Sequence, residues 1–286
     1  MLGGVFHAAT LFLVAAGLQL VFGVQRIVNL ACGSFYALGA YFGFSVVTWA
    51  LKGGMPEPLL LVALILGGLL LATIGLLVER LLRFIYDRDE SFQMLLTFAL
   101  VLIFEDVIRF FWGTAPYQLG NLYLVYGRLQ VGGLTIPVYN LLVIAAAAGI
   151  AVLMGWFLAR TRWGRIVRAT AENRAMSEAL GVDMRRVYAG VFTIGTALGT
   201  VGGALVVPAT AAMHEMGIDL IVEAFAVVVI GGLGSMRGAF VGALTVGVLK
   251  AVAIATYPEI EMLAIYVIVI AVLVLRPAGL FGRATA

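Results

Sequence analysis

"IGGLGSMRG", residues 230–238, interrupts one of the most apolar regions of the chain. Four glycines, a serine and an arginine stand where the flanking sequence is typical of a membrane helix. Backbone that leaves a helix at membrane depth is tolerated where it is buried in protein or lines an aqueous cavity. The stretch therefore predicts one of two structures: a broken span beside a solute path, or a tight cytoplasmic turn between two short helices.

The composition of the whole chain indicates an integral membrane protein. Hydrophobic residues make up 63% of the 286 residues and charged residues 12%, more apolar surface than a soluble domain can bury. The arginines stand at the ends of apolar segments, a pattern that does not indicate nucleic-acid binding. The only cysteine is Cys32 and the only histidines are His7 and His214. This inventory leaves little for a metal centre, and we predict none.

Nine apolar segments predict an all-α fold, a polytopic membrane helical bundle with about 8–9 membrane segments that include interrupted or half-spanning helices. The segments cover approximately residues 7–24, 30–50, 59–78, 92–112, 138–158, 187–207, 220–233, 239–256 and 260–275. We treat residues 1–286 as a single transmembrane domain. Arginines concentrate in the loops 79–91 and 159–186. The positive-inside rule makes these loops cytoplasmic, and threading the segments then places the N-terminus outside and the C-terminus inside.

A second interruption resembles the first. In "VQRIVNLACGSFYALGAYFG", residues 24–43, polar residues precede Cys32 and a glycine-spaced helix follows. Broken helices gathered around one site are a known transporter device. We therefore predict that the two interruptions contribute to a solute path. Its candidate lining residues are Asn29, Cys32, Gly33, Ser34, Gly232, Gly234 and Ser235.

The fourth apolar segment carries the charges of "FEDVIRF", residues 104–110. Glu105 and Arg109 are four residues apart and can pair on one helix face. Ionisable groups at membrane depth are candidates for function. Because the cluster with Asp106 stands near the outer end of the segment, a structural pair that reaches the interface is the favoured interpretation, and a functional role stays open.

The strongest local signal lies in "ARTRWGRIVRATAENRAMSEALGVDMRRVY", residues 159–188, the cytoplasmic loop. Asn173 is a suitable N-cap for a short helix at 174–180, which Gly181 would end as a C′ glycine. Asp183 can then cap the next membrane helix. Two interpretations follow: a solvated, lipid-facing connector, or a rigid element that docks into a groove on a cytosolic partner.

Three stretches carry a family resemblance. They resemble the branched-chain amino acid permease family of ABC importers. The stretches are the loop and following helix at residues 168–205, "GLQLVFGVQRIVNLACGSFYALGAYFGF" at residues 17–44, and "FAVVVIGGLGSMRGAFVGALTVGVL" at residues 225–249. The chain departs from the family pattern at Cys32, where a histidine is common, and at Arg237, where a proline is common. The solute therefore stays open among branched-chain or other amino acids, urea, and aromatic or other small organic acids.

The resemblance implies a permease subunit of a bacterial inner-membrane importer and a set of partners. These are a second permease, related but different in sequence, two cytosolic ABC ATPases that bind ATP and Mg²⁺, and a periplasmic solute-binding protein. No G-x-x-x-x-G-K-[ST] motif occurs in this chain, so it cannot bind ATP by that route. The resemblance implies that this subunit has no cofactor of its own and is not an enzyme. The resemblance assigns ATPase docking to Glu172, Ala175, Met176, Ala179 and Gly181.

Other classes of function are weaker. A stand-alone secondary transporter or channel would need coupling groups deep in the membrane, and only the Glu105 cluster offers any in the sequence. An intramembrane enzyme would need a catalytic pattern, and neither histidine stands near a serine or carboxylate pattern in the sequence. We therefore predict an ABC importer permease with no catalytic residue.

Overall fold

The computed structural model describes residues 2–86, 88–131, 134–257, 259, 261–276 and 279–281. Within these ranges the chain forms twelve α-helices: α1 (Leu2–Gln25), α2 (Cys32–Lys52), α3 (Leu60–Leu71), α4 (Ile74–Leu82), α5 (Glu90–Trp112), α6 (Val138–Arg160), α7 (Arg162–Glu172), α8 (Arg174–Ala179), α9 (Met184–Val206), α10 (Met216–Gly231), α11 (Met236–Thr256) and α12 (Glu261–Leu275). All nine predicted segments coincide with helices, and the segment at 59–78 is divided between α3 and α4. The end of the chain lies outside the described residues.

The predicted all-α membrane bundle is confirmed. Six helical stretches are long and apolar enough to cross a membrane: Leu2–Gln25, Cys32–Lys52, Glu57–Ile85, Val138–Arg160, Met184–Val206 and Met236–Thr256. The helices α10 and α12 are shorter, in keeping with the predicted half-spans. A two-stranded antiparallel hairpin, β1 (Arg128–Val131) with β2 (Leu134–Pro137), is a small addition that the sequence analysis did not predict.

The centre of the bundle is formed by α1, α2 and α9, which pack through glycine. Gly39 of α2 lies against the backbone of Thr200, and Gly203 of α9 lies against the carbonyl of Tyr36, so closely that a Cβ atom would overlap a carbonyl oxygen at either position. Lipid gives little hydrophobic drive for helix association, and small residues let the helix backbones make extensive van der Waals contact instead. These glycines therefore hold the central helices together.

The periphery of the bundle is apolar. Leu66 on α3, Val152 on α6 and Val274 on α12 are all exposed on the outside of the chain. Exposed aliphatic side chains on helices long enough to span a bilayer are suited to contact with lipid tails. These faces are therefore suited to contact with lipid or with another membrane subunit.

Candidate functional site

The stretch 230–238 forms a tight turn between α10 and α11. The Ser235 N–H donates to the Gly232 carbonyl at 3.2 Å, and Ser235 Oγ accepts from the Gly238 N–H at 3.1 Å as the N-cap of α11. Gly232 and Gly234 have φ angles of 91° and 80°, a conformation in which a side chain would be strained. A tight turn between two helices is therefore observed, and its contribution to a solute path stays a prediction.

Gln19 satisfies the backbone of this turn from α1. Its side chain is 1% exposed, its Nε2 donates to the Gly232 carbonyl at 2.9 Å, and its Oε1 accepts from the Gly234 N–H. A single side chain thereby bonds both an acceptor and a donor of the turn backbone. The sequence analysis missed Gln19, whose only signal is a lone amide in an apolar helix.

The C-terminal segment completes the turn. The N–H groups of Leu280 and Phe281 donate to the carbonyls of Ile230 and Gly231 at 2.9 and 3.1 Å. These are among the last carbonyls of α10, which have no partner within their own helix. The helix therefore ends inside the protein without buried unpaired carbonyls at these two residues.

The other interruption, residues 26–31, is an extended segment inside the bundle. It begins at Arg26, which adopts a left-handed backbone conformation with φ of 60°. Gln25 Nε2 donates to the Tyr188 carbonyl at 2.9 Å, near the start of α9, whereas Gly199 lies against the Cys32 carbonyl at the start of α2. From 188 to 199 an α-helix rises about 16 Å. The segment thus moves back along α9 by about 16 Å before α2 begins.

The predicted path residues on this segment are buried in this conformation. Asn29 Oδ1 accepts from the Ala31 N–H at 3.1 Å, which forms a local turn. Gly33 packs against the backbone of Gly217 at the start of α10, and Cys32 and Ser34 are also buried. In the turn at 232–235, Gly232 is buried and Gly234 is exposed. The two interruptions are neighbours, since Gly23 approaches Gly234, and their role as a solute path stays a prediction.

The short helix predicted at 174–180 is present as α8, one residue shorter than expected. Asn173 Oδ1 accepts from the Met176 N–H at 2.9 Å, and Gly181 has a φ of 84°, as expected for its N-cap and C′ glycine. Asp183 caps α9 by accepting from the N–H groups of Arg185 and Arg186. The preceding helix α7 was not predicted, because its many arginines made the segment read as a solvated loop.

The five predicted docking residues lie on an exposed tip around α8. Glu172, Ala175, Met176, Ala179 and Gly181 are all exposed, and the Met176 side chain is 58% exposed. Ser177 is buried beneath them. The tip therefore combines a fixed backbone with small and apolar side chains on its outer side, which suits close approach by another protein.

A cleft of about 590 Å³ lies beside α8. Four arginines line it: Arg80, Arg83, Arg174 and Arg185. The Arg174 guanidinium stacks over the Tyr188 ring at 5.5 Å. Burial, and then the adjacent carboxylate of Glu79, raise the pKa of Tyr86 in the same region. The tip is therefore basic on the side that faces the membrane helices.

A buried ionic cluster joins three other helices. Glu223 on α10 is 3% exposed; its Oε1 accepts from Lys250 Nζ of α11 at 2.6 Å, and its Oε2 pairs with His7 Nε2 of α1. Ion pairs within a membrane domain hold helices together when each charge has a partner. The sequence analysis missed this cluster because its members are far apart in the chain, although a lone glutamate in the run 216–231 was a usable signal.

Comparisons with known proteins agree with this architecture. The chain is 25% identical to the high-affinity branched-chain amino acid transport system permease protein BraD of Pseudomonas aeruginosa, over 99% of this chain and 95% of that protein. It is 27% identical to the corresponding permease protein LivH of Salmonella typhimurium, over 99% of this chain and 94% of that protein. The solved structure of PsaBC from Streptococcus pneumoniae in complex with Fab shares the fold, with a TM-score of 0.50, 13% identity and coverage of 98% and 92%.

A family model described as "branched-chain amino acid transport system / permease component" matches residues 1–273. The match extends from the first helix through α11 and most of α12, so it includes both interruptions and the α8 tip. The chain therefore belongs to the family of permease components of branched-chain amino acid transport systems, and it is a multi-pass transport subunit rather than an enzyme.

Proposed function

We propose that this permease forms half of the path by which a branched-chain or related amino acid enters the cell, and that a cytosolic ATPase drives it through α8. The observation that carries the proposal is the exposed tip around α8. A helix of six residues is too short to be stable alone. Here it is held by caps at both ends, as expected of an element that transmits force.

The packing of α9 gives this tip a route into the membrane. Only residues 180–183 separate α8 from α9, and α9 is central, packed against α2 through Thr200 and against α1 through Gly195. A displacement of α8 is therefore transferred directly to the helices that surround the extended segment 26–31. Switching of that segment between outward and inward access is the proposed transport step.

The proposal includes the partners and the orientation. A second, related permease would supply the other half of the path. Two ABC ATPases would bind ATP and Mg²⁺ on the cytoplasmic side, and a periplasmic binding protein would deliver the solute. With the α8 tip inside, the N-terminus lies in the periplasm and the hairpin of β1 and β2 lies on the periplasmic side.

The test is the variant Ala179→Arg in the complete transporter reconstituted in proteoliposomes. A long charged side chain at this position would prevent close approach of the ATPase, so we expect uptake and solute-stimulated ATPase activity to be lost while the permease remains folded. The matched control is Ala159→Arg, which adds the same side chain at an exposed position at the end of α6. Full uptake and ATPase stimulation in Ala179→Arg would refute the docking assignment.

One observation favours the alternative function, a stand-alone secondary transporter. The cluster of Glu223, His7 and Lys250 places ionisable groups inside the bundle, which an ion-coupled carrier needs. If the reconstituted permease pair accumulates amino acid in response to a proton or sodium gradient without the ATPases, the alternative is correct. We expect no accumulation, because the carboxylate is already paired with both partners.

A further inference from the structure

The charged cluster on α5 lies on the exposed face of that helix. Arg109 pairs with Glu105, and its other nitrogen is 3.8 Å from Asp106 Oδ1. The Asp106 side chain is 78% exposed and that of Arg109 44% exposed. The opposite face of α5 is buried, with Thr97 donating to the Val28 carbonyl of the extended segment at 3.3 Å.

The position of this cluster along the bundle places it inside the membrane. Phe104 lies 5.5 Å from Phe35, ring centre to ring centre, and Trp112 Nε1 donates to Ser45 Oγ at 2.7 Å, so α5 runs parallel to α2. Asp106 therefore lies level with the first turns of α2, just beyond the end of the extended segment. It is about 9 Å along the helix axis below Trp112, the last residue of α5.

An interfacial role does not suit Asp106 at this depth. Long side chains such as arginine can reach from within the membrane to the interface, whereas aspartate is short. Arg109 is held by Glu105 instead of extending outwards. The three side chains carry one positive and two negative charges, so pairing leaves a negative charge on a face that is otherwise apolar. A charge exposed to lipid is strongly unfavourable, and such groups face a protein interior or a water-filled cavity.

We propose that Asp106 and Arg109 form a site in the solute path that binds the charged groups of a zwitterionic amino acid. This inference rests on the proposed function. Asp106 accepts hydrogen bonds from the α-ammonium group, and Arg109, whose guanidinium has five N–H donors, binds the α-carboxylate while it remains paired with Glu105. The neighbouring Leu102 and Ile103 are exposed on the same helix and offer an aliphatic surface to an apolar amino-acid side chain.

The site explains why α5 differs from the other peripheral helices. The exposed side chains of Leu66 on α3 and Val152 on α6 are apolar, as expected for positions that face lipid. On α5 the exposed stripe of Phe98, Leu102 and Asp106 changes from apolar to charged within two helical turns. That change is expected of a surface that lines a path between two permeases and contacts a ligand with a charged end and an apolar end.

The first measurement is cysteine accessibility in the complete transporter. Cys32, the only cysteine, is replaced by serine, and Asp106→Cys is compared with the lipid-facing control Leu66→Cys. The probe is a membrane-impermeant trimethylammonium methanethiosulfonate, applied to proteoliposomes with binding protein, with and without leucine. We expect labelling at 106 and little at 66. Protection is measured with Leu102→Cys, which lies on the same exposed face and keeps both charged residues, and we expect leucine to slow its labelling. An inert 106, or labelling at 102 that leucine does not slow, overturns the proposal.

The second measurement is the affinity of the assembled permease–ATPase complex for leucine, measured by direct binding without the binding protein, so that only the permease site sets the concentration dependence. Losing a charge-assisted hydrogen bond to the solute raises the Kd about 10- to 100-fold, so we expect this for Asp106→Asn and for Arg109→Gln. Asp106→Glu keeps the charge and is expected to restore most of the affinity. Copurification of the partner permease and ATPases confirms assembly. An unchanged Kd in assembled Asp106→Asn, or no leucine binding by the wild-type complex, overturns the site.

These outcomes are separable from failure of the proposed function. If the wild-type transporter carries no amino acid, the proposed substrate class is wrong, and the proposal that Asp106 and Arg109 bind a zwitterion is then wrong as well. The labelling of position 106 in the absence of solute needs no knowledge of the substrate and still reports whether α5 faces water. If position 106 is labelled only when the partner permease is omitted, α5 is a subunit interface and the proposal is wrong.

Discussion

The buried amide of Gln19 offers the sharpest test of how the interrupted backbone is stabilised. We consider Gln19→Met, which keeps the length and approximate volume of the side chain and removes both polar atoms. The Gly232 carbonyl then keeps only the Ser235 N–H of its two donors, and the Gly234 N–H loses its acceptor. The net loss for one hydrogen bond is about 0.5–1.5 kcal/mol, and since Gly232 keeps a donor and Gly234 is exposed to solvent, we expect a total of about 1–3 kcal/mol for the two bonds.

The assay is reversible unfolding in mixed detergent micelles, with the free energy of unfolding obtained from an SDS titration. The matched control is Gln118→Met, which removes the same amide from an exposed loop position. We expect the control to change stability by no more than about 0.5 kcal/mol. If Gln19→Met unfolds at the same detergent fraction as the wild type, the turn at 232–235 does not depend on Gln19, and the reasoning is refuted.

Two further predictions concern packing and buried charge. Gly39→Ala places a methyl group against the Thr200 carbonyl, so we expect loss of monodisperse protein in size-exclusion chromatography. The control Gly149→Ala has open space around it and is expected to behave as wild type. Equal behaviour of the two variants would contradict close packing of α2 on α9. Glu223→Gln and Lys250→Met should each destabilise the chain, by up to about 3–5 kcal/mol for a buried unpaired charge, and the double variant should lose less than the sum in the same unfolding assay. Strict additivity would show that the two side chains do not interact.

Local features of the chain were predictable because they depend on neighbouring residues. The caps of α8, with Asn173 before it and Gly181 after it, follow from side-chain and backbone geometry within a few residues. The apolar segments follow from length and composition, which is why α2, α5 and α6 begin and end close to the predicted positions. The missed helix α7 shows the limit of this reasoning, because its three arginines did not prevent helix formation.

The candidate path was predictable only in part. The sequence marks residues 24–34 and 230–238 as interruptions, yet it does not distinguish a turn from an extended segment. That difference depends on the partners of the backbone. Gln19 and the C-terminal segment bond the turn, whereas in residues 26–31 the Val28 carbonyl accepts from Thr97 of α5. These partners are distant in the chain, so no local pattern contains them.

By itself, then, the sequence determined that this is a multi-pass helical membrane protein with a rigid arginine-flanked helix on one side, because hydrophobic length and capping are properties of contiguous residues. Only the tertiary structure decided which polar groups meet. It brought His7 and Lys250 to Glu223, and it placed Asp106 level with the start of α2 on an exposed face. Depth in a membrane and the pairing of buried charges are set by the packing of separate helices, and one helix read alone contains neither.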